Sequence, residues 1–276
     1  MLISLLTDFG DQDGWVAACK GQILSIAPKA SFIDISHQLP PFDIKKSALV
    51  LASTLPYLPV GIHIAIVDPG VGGARKGIII KVGRGDYLVG PDNGVLMLAV
   101  ERLEGIDKAV EISADSPETT ACPTFHGRDV FSPAAAHLLL GKRAEDFGPA
   151  LAPHKLAKKP WDDPSVQADK IVGEIIDIDR FGTLRSNIAG DLLDKNLSLD
   201  TTVNTVWGRR VHRALFGRTF SDVAEGEELF LVDSSGFFSL AINCGNAAEK
   251  LGYRVGDQVV IYREPDEGSL HNLRVV

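Results

Sequence analysis

The amino terminus sets a pattern that recurs along the first half of the chain. Leu2 to Leu6 is a short apolar run rich in strand formers, and it stops at Thr7-Asp8-Phe9-Gly10, where polar groups and a glycine turn the chain. Further apolar runs lie at Phe32 to Ile35, at Ile62 to Val67 ahead of Asp68-Pro69-Gly70, and at Gly77 to Val82. Between the second and third, Ala48, Leu51, Ala52 and Leu55 form an i, i+3, i+4, i+7 stripe, which predicts a helix. A later helix is predicted over Pro133 to Leu140, with proline tolerated in its first turn and Gly141 ending it. Strands that alternate with helices confine this part to an α/β architecture, a largely parallel sheet covered by helices.

The pattern changes after Gly148. From there to Lys170 the chain carries Pro149, Pro153, Pro160 and Pro164 among charged and polar residues and holds neither a period of 2 nor one of 3.6. Beyond it, Ile171 to Ile178, Leu229 to Val232, Phe237 to Ile242 and Gln258 to Tyr262 are short β-rich segments separated by Gly, Asn and Asp turns. The expected organisation is therefore an α/β domain over residues 1–155, a linker over 156–170, and a smaller antiparallel, barrel-like β domain over 171–276. No repeat at a fixed period points to a solenoid or propeller.

Composition narrows the function classes. A chain of 276 residues, 45% apolar and 23% charged, can bury a sizeable core without disulfides or structural metal. Its 28 basic and 36 acidic side chains leave a net charge of −8, so nucleic acid is not an expected partner. Cys19, Cys122 and Cys244 are odd in number, far apart and without a C-x-x-C spacing, which suggests neither a disulfide framework nor a zinc site and fits a reducing cytoplasm. No apolar run approaches the roughly 18 to 20 residues of a membrane span. The terminal M-L-I-S-L-L-T-D lacks the basic start and longer apolar stretch of a secretory signal.

Familiar motifs fail on inspection. Asp8-Phe9-Gly10 copies a kinase tripeptide, but no glycine-rich ATP loop or H-R-D-L-x-x-x-N loop accompanies it. Asp11-Gln12-Asp13-Gly14 imitates a calcium loop, yet that register puts Phe9 first and Lys20 twelfth, where acidic ligands are required. The Gly70 to Gly77 turn matches neither phosphate-binding glycine pattern, because Arg75 takes the third glycine's place. What remains is a set of polar residues at strand ends: Asp8 and Asp13 after the first strand, Asp68 and Arg75 after the third, and His126 ahead of the late helix. Open α/β sheets bind ligands beyond the carboxyl ends of their strands, so these residues are placed to converge on one crevice. Each also has a plainer reading as a helix cap, a turn former, a surface charge or a hydrogen-bonded core histidine.

Taken together, several segments resemble the S-adenosyl-L-methionine hydroxide adenosyltransferases, adenosine-forming hydrolases related to the fluorinases and chlorinases. These are T-D-F-G at 7 to 10, V-A-A-C-K-G at 16 to 21, D-I-S-H at 34 to 37, V-D-P-G-V-G at 67 to 72, G-P-D-N-G at 90 to 94 and T-F-H-G-R-D at 124 to 129. The likeness continues through I-D-R-F-G-T at 178 to 183, S-N-I at 186 to 188 and N-C-G-N-A-A at 243 to 248. The resemblance implies that Asp68, Arg75 and His126 hold an attacking water and that Asp8 faces the ribose hydroxyls. It further implies that Asp179 meets the methionine amino group, that Phe125 and Phe220 form apolar walls, and that Ser234 touches the amino-acid end. Asp13, Thr183, Ile242 and Cys244 complete the implied substrate contacts. The family usually has asparagine where Thr183 stands, so one hydroxyl replaces an amide's donor and acceptor groups. Arg185 falls where relatives tend to be apolar or aromatic.

The implied reaction needs no cofactor and no metal: S-adenosylmethionine is the substrate, its sulfonium already carrying a neutral leaving group. The missing ingredient is a nucleophile, since bulk water has a pKa of about 15.7. Arg75 can stabilise developing hydroxide but cannot be the base, which leaves Asp68 or His126 to take the proton. The resemblance also implies a homotrimer with the site at the subunit interface. A halogenase of the same superfamily and a binding module that holds the nucleoside without turnover are the competing readings. Halogenating relatives differ at the positions of Asp68 and His126.

Overall fold

The computed structural model describes residues 2–113, 122–193 and 197–262. The chain divides into two compact units, Met1–Pro160 and Trp161–Val276.

In the first unit the elements run β1 (Leu2–Thr7), α1 (Trp15–Ile26), β2 (Ser31–Ser36), α2 (Ile44–Thr54), β3 (Gly61–Ile66), β4 (Gly77–Val82), β5 (Tyr87–Pro91), α3 (Met97–Arg102), β6 (Ile106–Glu111) and α4 (Ser132–Leu139). The sheet order is β2-β1-β3-β5-β4-β6. β2, β1, β3 and β5 are mutually parallel, whereas β4 is antiparallel to both β5 and β6, so the parallel part is the half that carries the amino-terminal strand. β1 and β3 run side by side from Leu2↔Gly61 to Thr7↔Ile66 without a shift. That register brings the residues after both strands to one edge of the sheet.

Burial on both faces explains the continuous apolar runs. Ile3 and Leu5 of β1 join Ile62, Ile64 and Ile66 of β3 in a core that also takes Cys19 and Ile23 of α1 and Ala134, Ala135 and Leu138 of α4. Each such Ile or Leu contributes about 1.5 to 3 kcal/mol when fully buried. The predicted stripe is real: Ala48, Leu51 and Ala52 of α2, with Leu55 in the 3-10 turn that follows, are all buried, and Asp43 caps the helix by accepting the Lys46 N–H at 2.9 Å. α4 starts one residue before Pro133, and Gly141 beyond its end has φ +94°. Inside the sheet, His63 bridges Ser4 Oγ (2.7 Å) and Asp86 Oδ1 (2.9 Å), and the Arg84 guanidinium pairs with the same carboxylate. Buried polar groups are thus satisfied by one another there.

The second unit comprises β7 (Ser165–Val166), β8 (Lys170–Ile178), β9 (Leu184–Ala189), β10 (Thr201–Trp207), β11 (Arg210–Phe216), β12 (Glu228–Val232), β13 (Phe237–Ile242), α5 (Ala247–Leu251) and β14 (Gln258–Tyr262). Seven strands close into a barrel in the order β14-β10-β11-β12-β13-β9-β8, with β8 pairing back to β14, and β7 adds to β8. Every pairing is antiparallel except a two-residue parallel contact of β11 with β12. Closure removes the exposed edges that a small sheet otherwise presents. Trp207, Phe216, Phe230 and Phe238 stack within the barrel core. The segment 156–170 buries Leu156 and Trp161 at its two flanks of the division and forms β7. All three cysteines are free, and among the described residues no helix is long and apolar enough to cross a membrane.

Candidate active site

Asp8, His37 and Asp68 all follow parallel strands, so the topology delivers them to the same sheet edge. After β3 the chain makes two tight turns, Val71 N–H to Asp68 C=O at 3.2 Å and Gly73 N–H to Gly70 C=O at 3.0 Å, which carry it back to Arg75 before β4 begins. Gly72 sits between them at φ +73°, where a Cβ would come within 2.5 Å of the Pro123 carbonyl oxygen. The turn therefore needs glycine for both its conformation and its closeness to the segment leading into His126.

Arg75 joins the three residues expected to act together. Its Nε donates to Asp68 Oδ1 at 2.8 Å, its Nη2 donates to Asp68 Oδ2, and Nη2 also donates to His126 Nδ1 at 2.7 Å. The guanidinium carbon lies 5.4 Å from the centre of the Phe131 ring. Arg75 and Asp68 are 10% and 6% exposed, so this forked pair is held in a largely water-excluded setting where a rigid guanidinium is favoured over lysine. Because arginine only donates, His126 Nδ1 must be unprotonated, and the neutral ring carries its hydrogen on Nε2. Burial and the adjacent Arg75 charge push the His126 pKa down, which keeps the ring neutral.

Asp68 and His126 line a cavity of about 410 Å³. Asp8 and Phe125, both expected as substrate contacts, line it as well. Phe9 meets Trp15 and Phe125 edge to face, each with ring centres 5.8 Å apart, giving the cavity an aromatic wall. Arg75 backs this wall through its hydrogen bonds. Asp13 is exposed in the turn before α1 and lies outside the cavity lining. The sequence reading missed Trp15, Phe42 and Thr124 as lining residues; Phe42 carries its own signal, an aromatic residue after Pro40-Pro41.

Five more expected residues gather in the second unit. Asp179, Thr183, Phe220, Ile242 and Cys244 line a groove of about 700 Å³, together with Arg180, Phe181 and Asn246, which the sequence did not single out. Asp179 Oδ1 accepts the N–H groups of Phe181 and Thr183, both at 2.9 Å, and so shapes the β8–β9 turn. Gly182 in that turn has φ +83°, with the Asn246 side chain where a Cβ would stand. Ser234 is elsewhere: it lies in the β12–β13 turn, at the opposite end of β13 from Cys244, and does not line the groove. Arg185 is held by Asp177 at 2.6 Å and by Asp233, so its charge is neutralised within the barrel wall.

Two family models cover nearly all of the chain: the SAM hydroxide adenosyltransferase N-terminal domain matches residues 3–148 and the corresponding C-terminal domain matches 173–260. The chain belongs to the SAM hydroxide adenosyltransferase family. An (R)-S-adenosyl-L-methionine hydrolase from Salinispora arenicola is 44% identical over 93% of this chain and 96% of its own length. A protein of the same name from Thermus thermophilus is 37% identical over 92% and 96%. Fluorinases are more distant, at 28% identity for that of Nocardia brasiliensis over 94% of this chain and 96% of its own length. The solved structure of an uncharacterized conserved protein from Thermotoga maritima superposes with a TM-score of 0.86 at 36% identity, covering 95% of this chain and all of that one.

Proposed function

We propose that this protein hydrolyses S-adenosyl-L-methionine to adenosine and L-methionine. The observation that carries the reading is Arg75 bonded to both Asp68 and His126 in the wall of one cavity, in a chain 44% identical to a hydrolase of that substrate. Water attacks the 5′ carbon opposite the carbon–sulfur bond; that bond breaks with its electron pair passing to sulfur, which leaves as the neutral thioether of methionine.

Proton transfer falls to Asp68. His126 Nδ1 already accepts from Arg75, so the imidazole offers the water an Nε2–H donor, whereas the Asp68 carboxylate retains lone pairs beyond its Arg75 contacts. Arg75, bonded to both Asp68 and His126 behind the wall, supplies positive charge that favours the developing hydroxide. A positioned acid or base contributes about 10² to 10⁴ in rate, and alignment of the reacting pair up to roughly 7 to 11 kcal/mol. Positioning is therefore the larger share. No step draws on a metal, so activity should survive exhaustive chelation.

The relatives' names specify the (R) sulfonium epimer. Attack at the 5′ carbon is chemically indifferent to the configuration at sulfur, so a preference between epimers must come from the pocket; assays with each epimer separately will read it. Incubation with S-adenosylmethionine in ¹⁸O-water is the deciding experiment. Heavy oxygen should appear in the adenosine 5′ hydroxyl, and adenosine without it would reject direct attack.

We further propose a homotrimer in which the first unit of one subunit meets the second unit of a neighbour. Trp15 and Phe42 border the cavity and Phe181 and Phe220 the groove, and all four are 46% or more exposed, as expected of apolar lips that close on a partner. Co-expression of Asp68→Ala with Phe220→Ala chains should then form some intact sites, adding a component with wild-type KM that neither variant shows alone. Sedimentation as a monomer would remove this assembly.

A further inference from the structure

The loops after β1 and β2 are stitched together beside the cavity. Gly10 N–H donates to the His37 carbonyl at 2.8 Å, His37 Nδ1 lies 2.8 Å from Thr7 Oγ1, Gln38 Nε2 donates to the Asp11 carboxylate, and Phe42 N–H donates to Asp8 Oδ2 at 2.8 Å. Thr7 Oγ1 also accepts the Phe9 N–H at 3.3 Å. Thr7 is fully buried and His37 is 8% exposed. The other ring nitrogen, Nε2, is buried 3.0 Å from Asp34 Oδ1 at an angle that misses a hydrogen bond, and Asp34 Oδ2 takes Lys20 at 2.6 Å. The imidazole therefore stands between the Thr7 hydroxyl, hydrogen-bonded to Nδ1, and the Asp34 carboxylate, in ion-pair contact with Nε2.

This geometry brackets Asp8. On one side His37 holds Thr7, which in turn holds Phe9; on the other, the His37 carbonyl holds Gly10, whose φ is +68°. Phe42 adds a second sign of constraint. It sits at φ +68°, a conformation an aromatic L-residue adopts only at a cost, with its side chain 69% exposed at the cavity, and its N–H is anchored to Asp8. Asp8 thus has Oδ2 fixed to the main chain while Oδ1 makes no hydrogen bond among the described residues, an acceptor preorganised before any ligand arrives.

We propose that His37 is a positioning residue for substrate binding: through Thr7 and Gly10 it fixes the main chain on both sides of Asp8 and so sets the carboxylate that faces the ribose. The proposal rests on the hydrolase reading for the identity of the ligand. A buried imidazole at this point is otherwise costly, since an apolar side chain of similar size would fill the space without a polar atom to satisfy.

The test uses three variants of the full chain. Asparagine places an amide group near the position of Nδ1 and can keep the Thr7 hydrogen bond, glutamine reaches towards the position of Nε2 and cannot, and Thr7→Val removes the hydroxyl with little change in shape. His37→Gln and Thr7→Val should each raise KM for S-adenosylmethionine about tenfold with kcat within about twofold, and Thr7→Val should add nothing in the His37→Gln background. His37→Asn should stay within about threefold of wild type. Hydrogen exchange gives an arm independent of turnover: the Phe9 and Gly10 amides should exchange faster in His37→Gln and Thr7→Val but not in His37→Asn. Unchanged KM and exchange in the first two variants, equal damage in His37→Asn, or parallel loss of kcat and Tm in all three would overturn the proposal. Absence of hydrolysis by the wild type would instead overturn the hydrolase reading, and the exchange arm would still decide the role of His37.

Discussion

The cavity of the first unit and the groove of the second are built from different materials. In the cavity, an aspartate and an arginine from the β3–β4 connection and a histidine 51 residues beyond the arginine are locked by hydrogen bonds at about 10% exposure or less for the ion pair. The groove is wider, its Asp179 is engaged with main-chain N–H groups, and its largest side chains, Phe181 and Phe220, are 77% and 46% exposed. Buried, mutually oriented charges are the arrangement that stabilises a developing transition state; open aromatic faces and turn amides recognise a ligand without reacting with it. On the proposed reading, bond-breaking belongs to the Asp68–Arg75–His126 cluster and ligand recognition extends to the groove, so variants at Arg75 and at Phe220 should separate kcat from KM.

Loss of the arginine should be the largest effect. Arg75→Ala leaves Asp68 without its counter-charge and His126 without its donor at once, so kcat should fall about a thousandfold or more, while substrate affinity stays within about tenfold. Asp68→Ala should reach a similar loss. Steady-state assays that return near-wild-type turnover for either variant would break the division between chemistry and recognition at its strongest point.

His126 offers a subtler handle. Its pKa is lowered by burial and by Arg75, so the neutral ring is complete at neutral pH and is lost only as pH falls through a value below the ordinary one of about 6.5. Protonation at Nδ1 would put two donors face to face and break the Arg75 contact. The wild-type rate should therefore show an acid limb below about pH 6.5. His126→Asn keeps an acceptor for Arg75 but cannot titrate: kcat should drop about a hundredfold and that limb should vanish from the pH profile. A limb that persists unchanged would transfer the titration to another group.

How much of this the sequence discloses depends on whether a residue's partner is near in the chain or far away. β1, α2, β3, β8 and β13 follow from local apolar patterns, because burial alone dictates them. β9 does not: Leu184-Arg185-Ser186-Asn187-Ile188-Ala189 turns polar residues inward, and Ser186 and Asn187 find their acceptors 52 and 25 residues away, at Phe238 and Asp162. In the site, strand ends announced Asp8, Asp68 and Arg75, and the resemblance carried their roles. Trp15 stayed hidden, since nothing local to it tells an exposed aromatic on a cavity lip from one on a plain surface, and Phe42 offered only its place after Pro40-Pro41. Thr183 stood out only as a departure from the family pattern, and Ser234, expected from the resemblance alone and within none of the quoted segments, lies at the opposite end of β13 from Cys244 and outside the groove lining.

In the groove, Phe220→Ala should act on binding. Removing a half-exposed aromatic wall should raise KM about tenfold and leave kcat within about threefold, the reverse of the pattern at Arg75. Equal losses in kcat would mean that the groove takes part in the reaction step and would dissolve the division between the two units.

The smallest effect is expected at Thr183. Its main chain is fixed from both sides, N–H to Asp179 Oδ1 at 2.9 Å and C=O from the Asp179 N–H at 3.2 Å, and the residue is 6% exposed at the base of the groove. Thr183→Asn leaves those main-chain bonds available and exchanges one hydroxyl for an amide with both donors and an acceptor. If the second unit reads the base, one added hydrogen bond should lower KM by about threefold to tenfold with kcat unchanged, and the gain should shrink when adenine's exocyclic amine is replaced by a carbonyl in the substrate analogue. A gain equal for both bases would mean that the amide improves packing alone, and the groove would then recognise the nucleoside by shape rather than by its hydrogen-bonding edge.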